Sequence, residues 1–453
     1  MRCATRLTVS ILVVVWLACC GFSSALLAQP YDDPATRTRL TELENGLRVL
    51  TLVDRTSPIV SFQSWVDVGS GDEGRFTGLA HLFEHMMFRG TANVPGDLRD
   101  RLLRERGSRG NAFTSNDFTV YFEDVSSEHL PLVIELEADR LANLIISPEV
   151  LDTEREVVLE ERRFRTEDNP QGRLVEALLA LSFVAHPYRR PTVGWMSDVQ
   201  QVQVEQCVEF FGEYYVPGNI VLSIAGDFDE EATLARVRRH LGRLPASPPP
   251  PRNPTIEPPQ RGERRAQAHA AVRGPLFGVA WHAPASGHAD AEPLDVLSAI
   301  LSAGFSSRLH RRLVYEEQEA LSASGGYWEL KRAGLFYAAA NVRPGHSIDR
   351  VEELIFEEID RLAQEAPTEA EVERAKRQLE VSLVSGLGTN HALASRNAEE
   401  LLVFGRIRSL DERLGAYRAV TADDVTRVAR SYLTPEGRSV VHVVPGPGSE
   451  EAP

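Results

Sequence analysis

The chain has 453 residues, of which 43% are hydrophobic and 25% are charged, and its formal net charge is −16. This length allows two or three domains, and the apolar fraction is that of a globular protein, which excludes wholesale disorder. The acidic balance argues against a nucleic-acid-binding protein and against a protein held on anionic lipid, because both need a basic surface.

Residues 1–28 have the pattern of a secretory signal peptide. Arg2 and Arg6 precede an apolar run that continues to Leu27, and the following residues turn polar. A positive start, a short apolar centre and small residues after it are typical of such a signal. No later segment has the ~20 apolar residues that a membrane span needs. The sequence therefore predicts an exported chain, periplasmic or extracellular, with no membrane span once the signal is removed.

The point at which the signal ends stays open between two positions. Small residues favour cleavage after Ala25 or after Ala28. A lipid attached to Cys19 or Cys20 is the alternative, and it would leave the mature chain tethered only at its start.

A proline-rich segment divides the chain after the signal. Residues 244–265 read LPASPPPPRNPTIEPPQRGERR. Such a density of proline excludes a helix or a central strand and predicts an extended, semi-rigid linker. The segment separates a predicted N-terminal domain, residues 31–243, from a predicted C-terminal domain, residues 266–446, and both have the size of a single domain.

The two halves show the same order of predicted elements. In the first half we predict strands at LRVLTLVD, IVSFQSWVDVG, FTVYFEDV and NIVLSIAGDFD, and helices at TGLAHLFEHMMFRG, LPLVIELEADRLANLI, SPEVLDTEREVVLEERRFR and GRLVEALLALSFV. In the second half we predict strands at FGVAWHAP, GLFYAAANVRPG and SVVHVVPG, and helices at AEPLDVLSAILS, VEELIFEEIDRLAQ and TEAEVERAKRQLEVSLVSGL. This repeat predicts two homologous α+β domains, each a mostly antiparallel sheet with helices packed on one face.

A candidate metal site lies in the first of these helices. His81 and His85 are four residues apart, so on a helix they share one face and can reach one Zn²⁺ together. Glu84 borders the same face, where it can hold a water and take its proton. The order H-x-x-E-H is a known zinc-protease arrangement. The flanks, LAHLFEHMMF, are apolar, and burial of these polar groups without a partner would be costly.

A third ligand is expected in the helix that follows Ser147, a residue suited to the N-cap position. Glu154 and Glu161 are seven residues apart and therefore lie on nearly the same stripe. Glu161 would ligate the metal, and Glu154 could accept a hydrogen bond from a ligand histidine. Glu160 is the neighbouring alternative to Glu161, although it points away from the stripe of Glu154.

The sequence resembles the M16 peptidases, the family of insulinase, pitrilysin and mitochondrial processing peptidase, in their short-chain M16B form. GLAHLFEHMMFRGT resembles the family signature, and NAFTSNDFTVYF, EREVVLEE, HPYRRPTVG and YYVPGNIVLSIAGDF follow as landmarks in the family order. The resemblance implies the M16/LuxS-like architecture and one Zn²⁺ per chain. It implies that His81 and His85 are ligands and that Glu84 is the general base. It also favours Glu161, which lies 76 residues after His85 (161 − 85), over Glu160 as the third ligand.

The resemblance also implies a place for the substrate. In this family the strand that starts with Asn111, Ala112, Phe113 and Thr114 is a sheet edge that pairs with an extended peptide. Pairing of this kind uses backbone hydrogen bonds and is therefore largely independent of the peptide's side chains.

One departure from the family pattern concerns the second half. Many active M16 enzymes carry an Arg and a Tyr there, in a stretch resembling L-R-E-x-x-G-L-A-Y. Here Val314 stands at the place of that Arg, and Ser322 to Ser324 fall near the place of the Tyr. Arg308, Arg311 and Tyr327 are near in sequence but do not match the motif. We therefore expect a dimer in which this chain is the zinc-bearing subunit and a homologous subunit carries the Arg/Tyr pair; a homodimer is the alternative.

Taken together, these features predict a zinc metalloendopeptidase that cleaves extended peptides or unfolded segments. Zn²⁺ would acidify its bound water and polarise the scissile carbonyl, and Glu84 would pass the water's proton to the leaving amine. Two other classes remain as alternatives: a non-catalytic M16-like assembly or binding subunit, and a zinc hydrolase acting on something other than peptides. Mn²⁺ and Co²⁺ remain alternatives to zinc.

Overall fold

The fold of residues 33–446 is described by a computed structural model. The predicted signal peptide, its cleavage point and the alternative lipid site lie outside these residues. Two sheets, each with helices of its own, divide the described chain into two halves. The expected α+β class with two related domains is confirmed. Every helix in this part of the chain is too short or too polar to cross a bilayer.

The first half contains a six-stranded sheet. Its strands are β1 (Arg39–Glu42), β2 (Arg48–Val53), β3 (Ile59–Val66), β4 (Arg109–Thr114), β5 (Thr119–Ser126) and β6 (Ile220–Gly226). Their order across the sheet is β1-β2-β6-β3-β5-β4. Strands β2 and β6 run parallel, and all other neighbours in this sheet run antiparallel. Strand β4 is therefore an edge strand.

The helices of the first half connect these strands. They are α1 (Pro34–Arg37), α2 (Leu79–Met86), α3 (Gly96–Arg104), α4 (Leu130–Asn143), α5 (Pro148–Arg162), α6 (Pro170–Ser182), α7 (Met196–Gln201), α8 (Val204–Tyr214) and α9 (Glu230–His240). A π-helical segment, Arg163–Glu167, directly continues α5.

The second half repeats the sheet with one strand fewer. Its strands are β7 (Arg264–Ala270), β8 (Leu276–Ala283), β9 (Ala320–Trp328), β10 (Gly334–Val342) and β11 (Ser439–Pro445). Their order is β7-β11-β8-β10-β9, with β7 and β11 parallel and the other pairs antiparallel. This order matches β2-β6-β3-β5-β4 of the first half strand for strand, and β1 has no counterpart. The internal repeat predicted from the order of elements is thus a repeat of sheet topology.

The helices of the second half follow two of these strands. They are α10 (Ala291–Ser302), α11 (Ile348–Gln364), α12 (Glu369–Ser385), α13 (Asn390–Phe404), α14 (Leu410–Ala419) and α15 (Ala422–Tyr432), together with a π-helical segment, His310–Glu316.

Side chains alternate along a strand, so each sheet has two faces, and in both sheets the two faces are buried. In β3, Val60, Phe62 and Val66 point into the core formed with the helices of the first half. Trp65 points to the opposite face and belongs to a separate apolar cluster. The single helical layer expected for each half therefore covers only one of the two faces.

The second face of each sheet is covered by a helix from the other half. Helix α13 lies on the first sheet, where Leu401 and Leu402 pack with Leu50 and Trp65. The side chain of Ser223 on β6 donates a hydrogen bond to the carbonyl of Ala394 on α13 at 2.8 Å. Two halves that exchange a helix in this way bury apolar surface that neither could bury alone.

The reciprocal contact is made by α6 on the second sheet. Leu174 and Leu178 of α6 pack against Leu276 of β8 and against Val441 and Val443 of β11. The two halves are therefore held together by their cores as well as by the linker.

The predicted linker keeps its extended character in the structure. In this part of the described chain, no helix or strand lies between His240 and Arg264. The guanidinium of Arg252 donates to both the carboxylate of Asp67, at 2.6 Å, and the side-chain oxygen of Asn219, at 2.9 Å. The linker is thus attached to the first sheet. The predicted domain boundaries at residues 243 and 266 stay a prediction, and β7 already takes in the last two predicted linker residues.

Because α6 packs on the second sheet, we predict that shortening one buried side chain of α6 strongly lowers the stability of the fold. Leu178→Ala is expected to lower the free energy of unfolding by about 2–5 kcal/mol, because it leaves a cavity between α6 and the second sheet. Val175→Ala, on the exposed side of the same helix, is the control and is expected to change it by less than about 0.5 kcal/mol. Chemical denaturation of both variants measures the difference. Equal, small effects would contradict the role given to α6.

Candidate metal centre

Helix α2 carries three of the predicted site residues, His81, Glu84 and His85. The two imidazole rings are one helical turn apart, with centroids separated by 4.8 Å. His81 is 5% exposed and Glu84 is 7% exposed, so both lie within the core of the first half. Polar groups at this depth need partners. Glu84 has one in the hydroxyl of Thr114, whereas Nδ1 of His81 has no hydrogen-bond partner among the described residues.

A buried carboxylate fixes the point at which α2 begins. Gly78 precedes the helix with φ +82°, a conformation that favours glycine. The carboxylate of Glu73 accepts hydrogen bonds from the backbone N–H groups of Gly78 and Ala80, both at 2.9 Å. Because the first N–H groups of a helix have no partner within it, Glu73 acts as the cap of the site helix.

Helix α5 brings the acidic ligand candidate to this pair of histidines. It begins as the sequence suggests, with the Ser147 hydroxyl accepting a hydrogen bond from the Val150 N–H at 3.4 Å. At its C-terminal end, the Oε2 atom of Glu161 lies 3.3 Å from Nε2 of His85 and 3.7 Å from Nε2 of His81. One ligand atom from each of the three residues lies within 4.8 Å of the others.

The alternative ligand, Glu160, points away from this group. Its side chain is 73% exposed and pairs with Arg163 at 2.8 Å. The structure therefore brings Glu161, and not Glu160, next to the histidines.

These three residues fit the coordination of a zinc ion. For bonds of ~2.0–2.1 Å arranged tetrahedrally, neighbouring ligand atoms are about 3.3–3.4 Å apart. The observed separations of 3.3 and 3.7 Å are close to this edge length. Two imidazole nitrogens and one carboxylate oxygen are also the donor types of catalytic zinc sites, which leave a fourth position open.

Glu154 lies against one of the two histidines. Its Oε2 atom lies 3.3 Å from Nδ1 of His85, and its Oε1 atom contacts the guanidinium of Arg89. A hydrogen bond from Nδ1–H to this carboxylate leaves the lone pair on Nε2, the nitrogen that faces Glu161. Glu154 is 2% exposed, and its supporting role at a metal stays a prediction.

The pKa values of the two histidines are shifted in opposite directions. Burial, and then the neighbouring His85, lower the pKa of His81 to about 4. Burial also acts to lower the pKa of His85, but its hydrogen bonds to Glu154 and Glu161 outweigh burial and raise this pKa to about 9. The two carboxylates thus favour the protonated form of His85, whereas burial favours the neutral form of His81, which is the form that binds a metal.

Glu84 lies beside the group and has a different partner. The hydroxyl of Thr114 donates a hydrogen bond to its Oε2 atom at 2.5 Å. Burial raises the pKa of the Glu84 carboxyl above its ordinary value, and the bond from Thr114 opposes this shift. A carboxyl whose pKa moves toward neutrality is better suited to exchange protons at physiological pH.

The predicted substrate strand is at the edge of the first sheet. Asn111, Ala112, Phe113 and Thr114 form the last four residues of β4, which pairs with β5 on one side only within the described chain. Asn111 and Phe113 are exposed, and Ala112 and Thr114 are half-buried. Thr114 connects this edge to Glu84, so the edge strand ends beside the candidate metal centre.

Three residues of the site were not found from the sequence. Glu73 caps α2, Arg89 contacts Glu154, and the guanidinium of Arg165 lies 2.7 Å from Oε1 of Glu161. Arg89 and Arg165 each follow a predicted site residue by four positions, and this spacing was the available signal. No comparable signal marks Glu73, because its partners are backbone groups.

Two family models match the chain. The model described as "Insulinase (Peptidase family M16)" matches residues 48–194, and "Peptidase M16 inactive domain" matches residues 201–379. An uncharacterised zinc protease of Mycobacterium tuberculosis is 31% identical over 416 residues, which cover 89% of this chain and 92% of the relative. The zinc protease PqqE of Helicobacter pylori is 28% identical over 412 residues, covering 89% of this chain and 92% of the relative.

Solved structures show the same architecture. A protease from Helicobacter pylori superposes with a TM-score of 0.86 at 27% identity, covering 90% of this chain and 99% of that one. The periplasmic protease PqqL from Escherichia coli superposes with a TM-score of 0.76 at 19% identity. That match covers 92% of this chain but 48% of PqqL, so the present chain corresponds in fold to about half of PqqL.

Proposed function

The chain belongs to the M16 peptidase family, and from this premise we propose that it is a zinc metalloendopeptidase that cleaves extended peptides or unfolded segments. The observation that supports this most strongly is the convergence of His81, His85 and Glu161 on one point, with Glu84 beside them. In this proposal His81, His85 and Glu161 hold one Zn²⁺, and Glu154 holds the ring of His85 in place.

The chemistry follows from this arrangement. When bound, Zn²⁺ supplies Lewis-acid polarisation of the scissile carbonyl and a water of lowered pKa. Glu84 takes a proton from the attacking water and later delivers it to the leaving amine. Its Oε2 atom is occupied by the Thr114 hydroxyl, so Oε1 is the oxygen proposed to carry the proton. The raised pKa of this carboxyl favours both transfers.

The edge strand supports the proposed class of substrate. A peptide that adds to β4 pairs with its backbone between Arg109 and Thr114, and Thr114 ends beside Glu84. An extended or unfolded segment can add to this edge, whereas a strand already paired within a folded protein cannot. The proposed substrates are therefore peptides and unfolded segments.

A non-catalytic M16-like assembly or binding subunit is the alternative function. The model described as "Peptidase M16 inactive domain" matches residues 201–379, which include the end of the first half and most of the second, and this stretch contains no zinc motif. In the first half, Glu154 and Glu161 contact His85. Burial of such polar groups costs free energy, and a purely structural subunit would not need them. The peptidase proposal is therefore preferred.

We further propose that the chain acts in a dimer. Around Val314, the residues that could replace the family Arg and Tyr have partners in the second half: Arg308 pairs with Glu371 at 2.8 Å, and the Tyr327 hydroxyl donates to the carbonyl of Pro284 at 2.6 Å. Two chains of this type would also supply as many halves as the single chain of PqqL. In this proposal the partner is a homologous M16 subunit with an Arg/Tyr pair.

The proposed location is outside the cytoplasm. The basis is the leader sequence, with Arg2 and Arg6 before an apolar run, and the chain is proposed to be periplasmic or extracellular.

Substitution of the proposed base separates chemistry from metal binding. Glu84→Gln is expected to lower the rate of peptide cleavage by about 10²–10⁴-fold, because the proton acceptor is lost. The zinc content, measured by elemental analysis of the purified protein, is expected to stay at one per chain. Cleavage at the wild-type rate would remove Glu84 from this role.

A neighbouring pair of glutamates tests the third ligand. Glu161→Ala is expected to lower zinc affinity by more than about tenfold, since a direct ligand contributes at least as much as a supporting residue. Glu160→Ala, one position away on the same helix, is the control and is expected to bind zinc as the wild type does. Equal zinc affinities of the two variants, measured by competition with a chelator, would contradict the assignment.

The activity of the chain purified by itself tests the dimer with a second subunit. We expect weak cleavage of an unstructured peptide by this chain alone and a large increase when a homologous M16 subunit with the Arg/Tyr pair is added. Size-exclusion chromatography with light scattering would show the mixed dimer. Full activity of a homodimer would overturn the proposal of divided roles and leave the peptidase proposal intact.

A further inference from the structure

The segment that directly follows Glu161 is π-helical. Residues Arg163–Glu167 form this segment, and the N–H of Asp168 bonds to the carbonyl of Arg163 at 2.8 Å. Such wide turns occur in proteins mainly as short interruptions of α-helices, frequently at functional sites. Here the π turn lies between a proposed metal ligand and helix α6.

The π-helical segment is held against the first turn of α6. At Gly172 a Cβ atom would lie 2.0 Å from the carbonyl oxygen of Arg165, so only glycine allows the two backbones to approach this closely. The guanidinium of Arg173 donates to the carbonyl of Glu167 at 2.7 Å. Since Leu174 and Leu178 of α6 pack on the second sheet, the segment is fixed by the second half of the molecule.

The side chain of Arg165 reaches back from this segment to Glu161. Its guanidinium lies 2.7 Å from Oε1 of Glu161. The other oxygen, Oε2, is the one that faces Nε2 of His85 at 3.3 Å and Nε2 of His81 at 3.7 Å. The two oxygens of the carboxylate thus have separate partners.

We propose that Arg165 is a positioning residue that presents a single oxygen of Glu161 to the metal. By binding Oε1, it fixes the rotation of the carboxylate and leaves Oε2 as a monodentate ligand. The inference rests on the proposed function, because it takes Glu161 as a zinc ligand. It also assigns a function to the contact between α6 and the second sheet, which holds the segment that carries Arg165.

The sign of the effect distinguishes positioning from simple electrostatics. A guanidinium near a bound dication repels it, so loss of this charge would by Coulomb interaction alone strengthen zinc binding. Loss of a positioning contact instead weakens zinc binding, because a mobile carboxylate must be ordered when the metal binds. Supporting residues of this kind typically contribute about 10–100-fold to metal affinity. The side chain of Arg165 is 61% exposed, which favours a fold that tolerates its substitution.

The experiment compares three variants of the full chain. Arg165→Gln removes the charge, and Arg165→Lys keeps a cation but loses the planar donor set. Arg163→Gln is the matched control. It also removes an arginine from this segment, but the partner of Arg163 is the exposed Glu160. Zinc affinity is measured by competition with a chelator, and the visible absorption of the Co²⁺-loaded protein reports the coordination number. Thermal unfolding of each metal-free variant verifies the fold.

We expect R165Q to bind zinc about tenfold or more weakly than the wild type, R165K to fall between them, and R163Q to match the wild type. The Co²⁺ absorption of R165Q is expected to weaken, as for a carboxylate that turns to bind with both oxygens. Zinc affinity of R165Q equal to or above that of the wild type would overturn the inference alone. A wild-type chain without zinc affinity would instead overturn the proposed function.

Discussion

Each sheet of this protein has two apolar faces, and the need to bury both is the constraint on which the rest of the structure depends. The helices that follow the strands of each half cover one face. The other face is covered by a helix from the opposite half, α13 on the first sheet and α6 on the second. The two halves are consequently parts of one packed unit, and the candidate metal centre lies in the first half of that unit, between α2 and α5.

The polar side chains of the centre are stabilised by one another within an apolar core. His81 and Glu154 are buried and His85 is half-buried. Glu161 reaches the two histidines from the end of α5. The histidines on α2 and the glutamates on α5 are far apart in the chain, so their contact depends on the packing of α2 against α5. Burial of such groups without mutual hydrogen bonds would cost several kcal/mol, on the order of the net stability of a domain. The cluster is therefore best explained by a function.

The sequence predicted those parts of the molecule that local patterns encode. Periodic apolar residues indicated the main strands and helices, and the four-residue spacing of His81 and His85 indicated a shared face. The edge position of β4 and the choice of Glu161 came from resemblance to a family. Geometry gives independent reason for the choice of Glu161, since the exposed side chain of Glu160 pairs with Arg163.

Other parts could not be predicted because they depend on contacts between distant segments. Nothing in the periodicity of α6 or α13 tells which sheet each helix covers, since an apolar face packs on any apolar surface. Glu73 was missed for a related reason: its partners are the backbone N–H groups of Gly78 and Ala80, which leave no mark in the pattern of side chains. The parallel pairing of β2 with β6 likewise joins strands that are far apart in the chain.

The reciprocal packing of α6 and α13 changes the meaning of the proline-rich linker. Residues 244–263 pass between the halves without a helix or strand, while the apolar contacts that join the halves lie elsewhere. The linker therefore joins the two halves covalently, whereas the packing of α6 and α13 holds them together. A break in a peptide bond of the linker would leave two fragments that remain interlocked, each carrying the helix that completes the other.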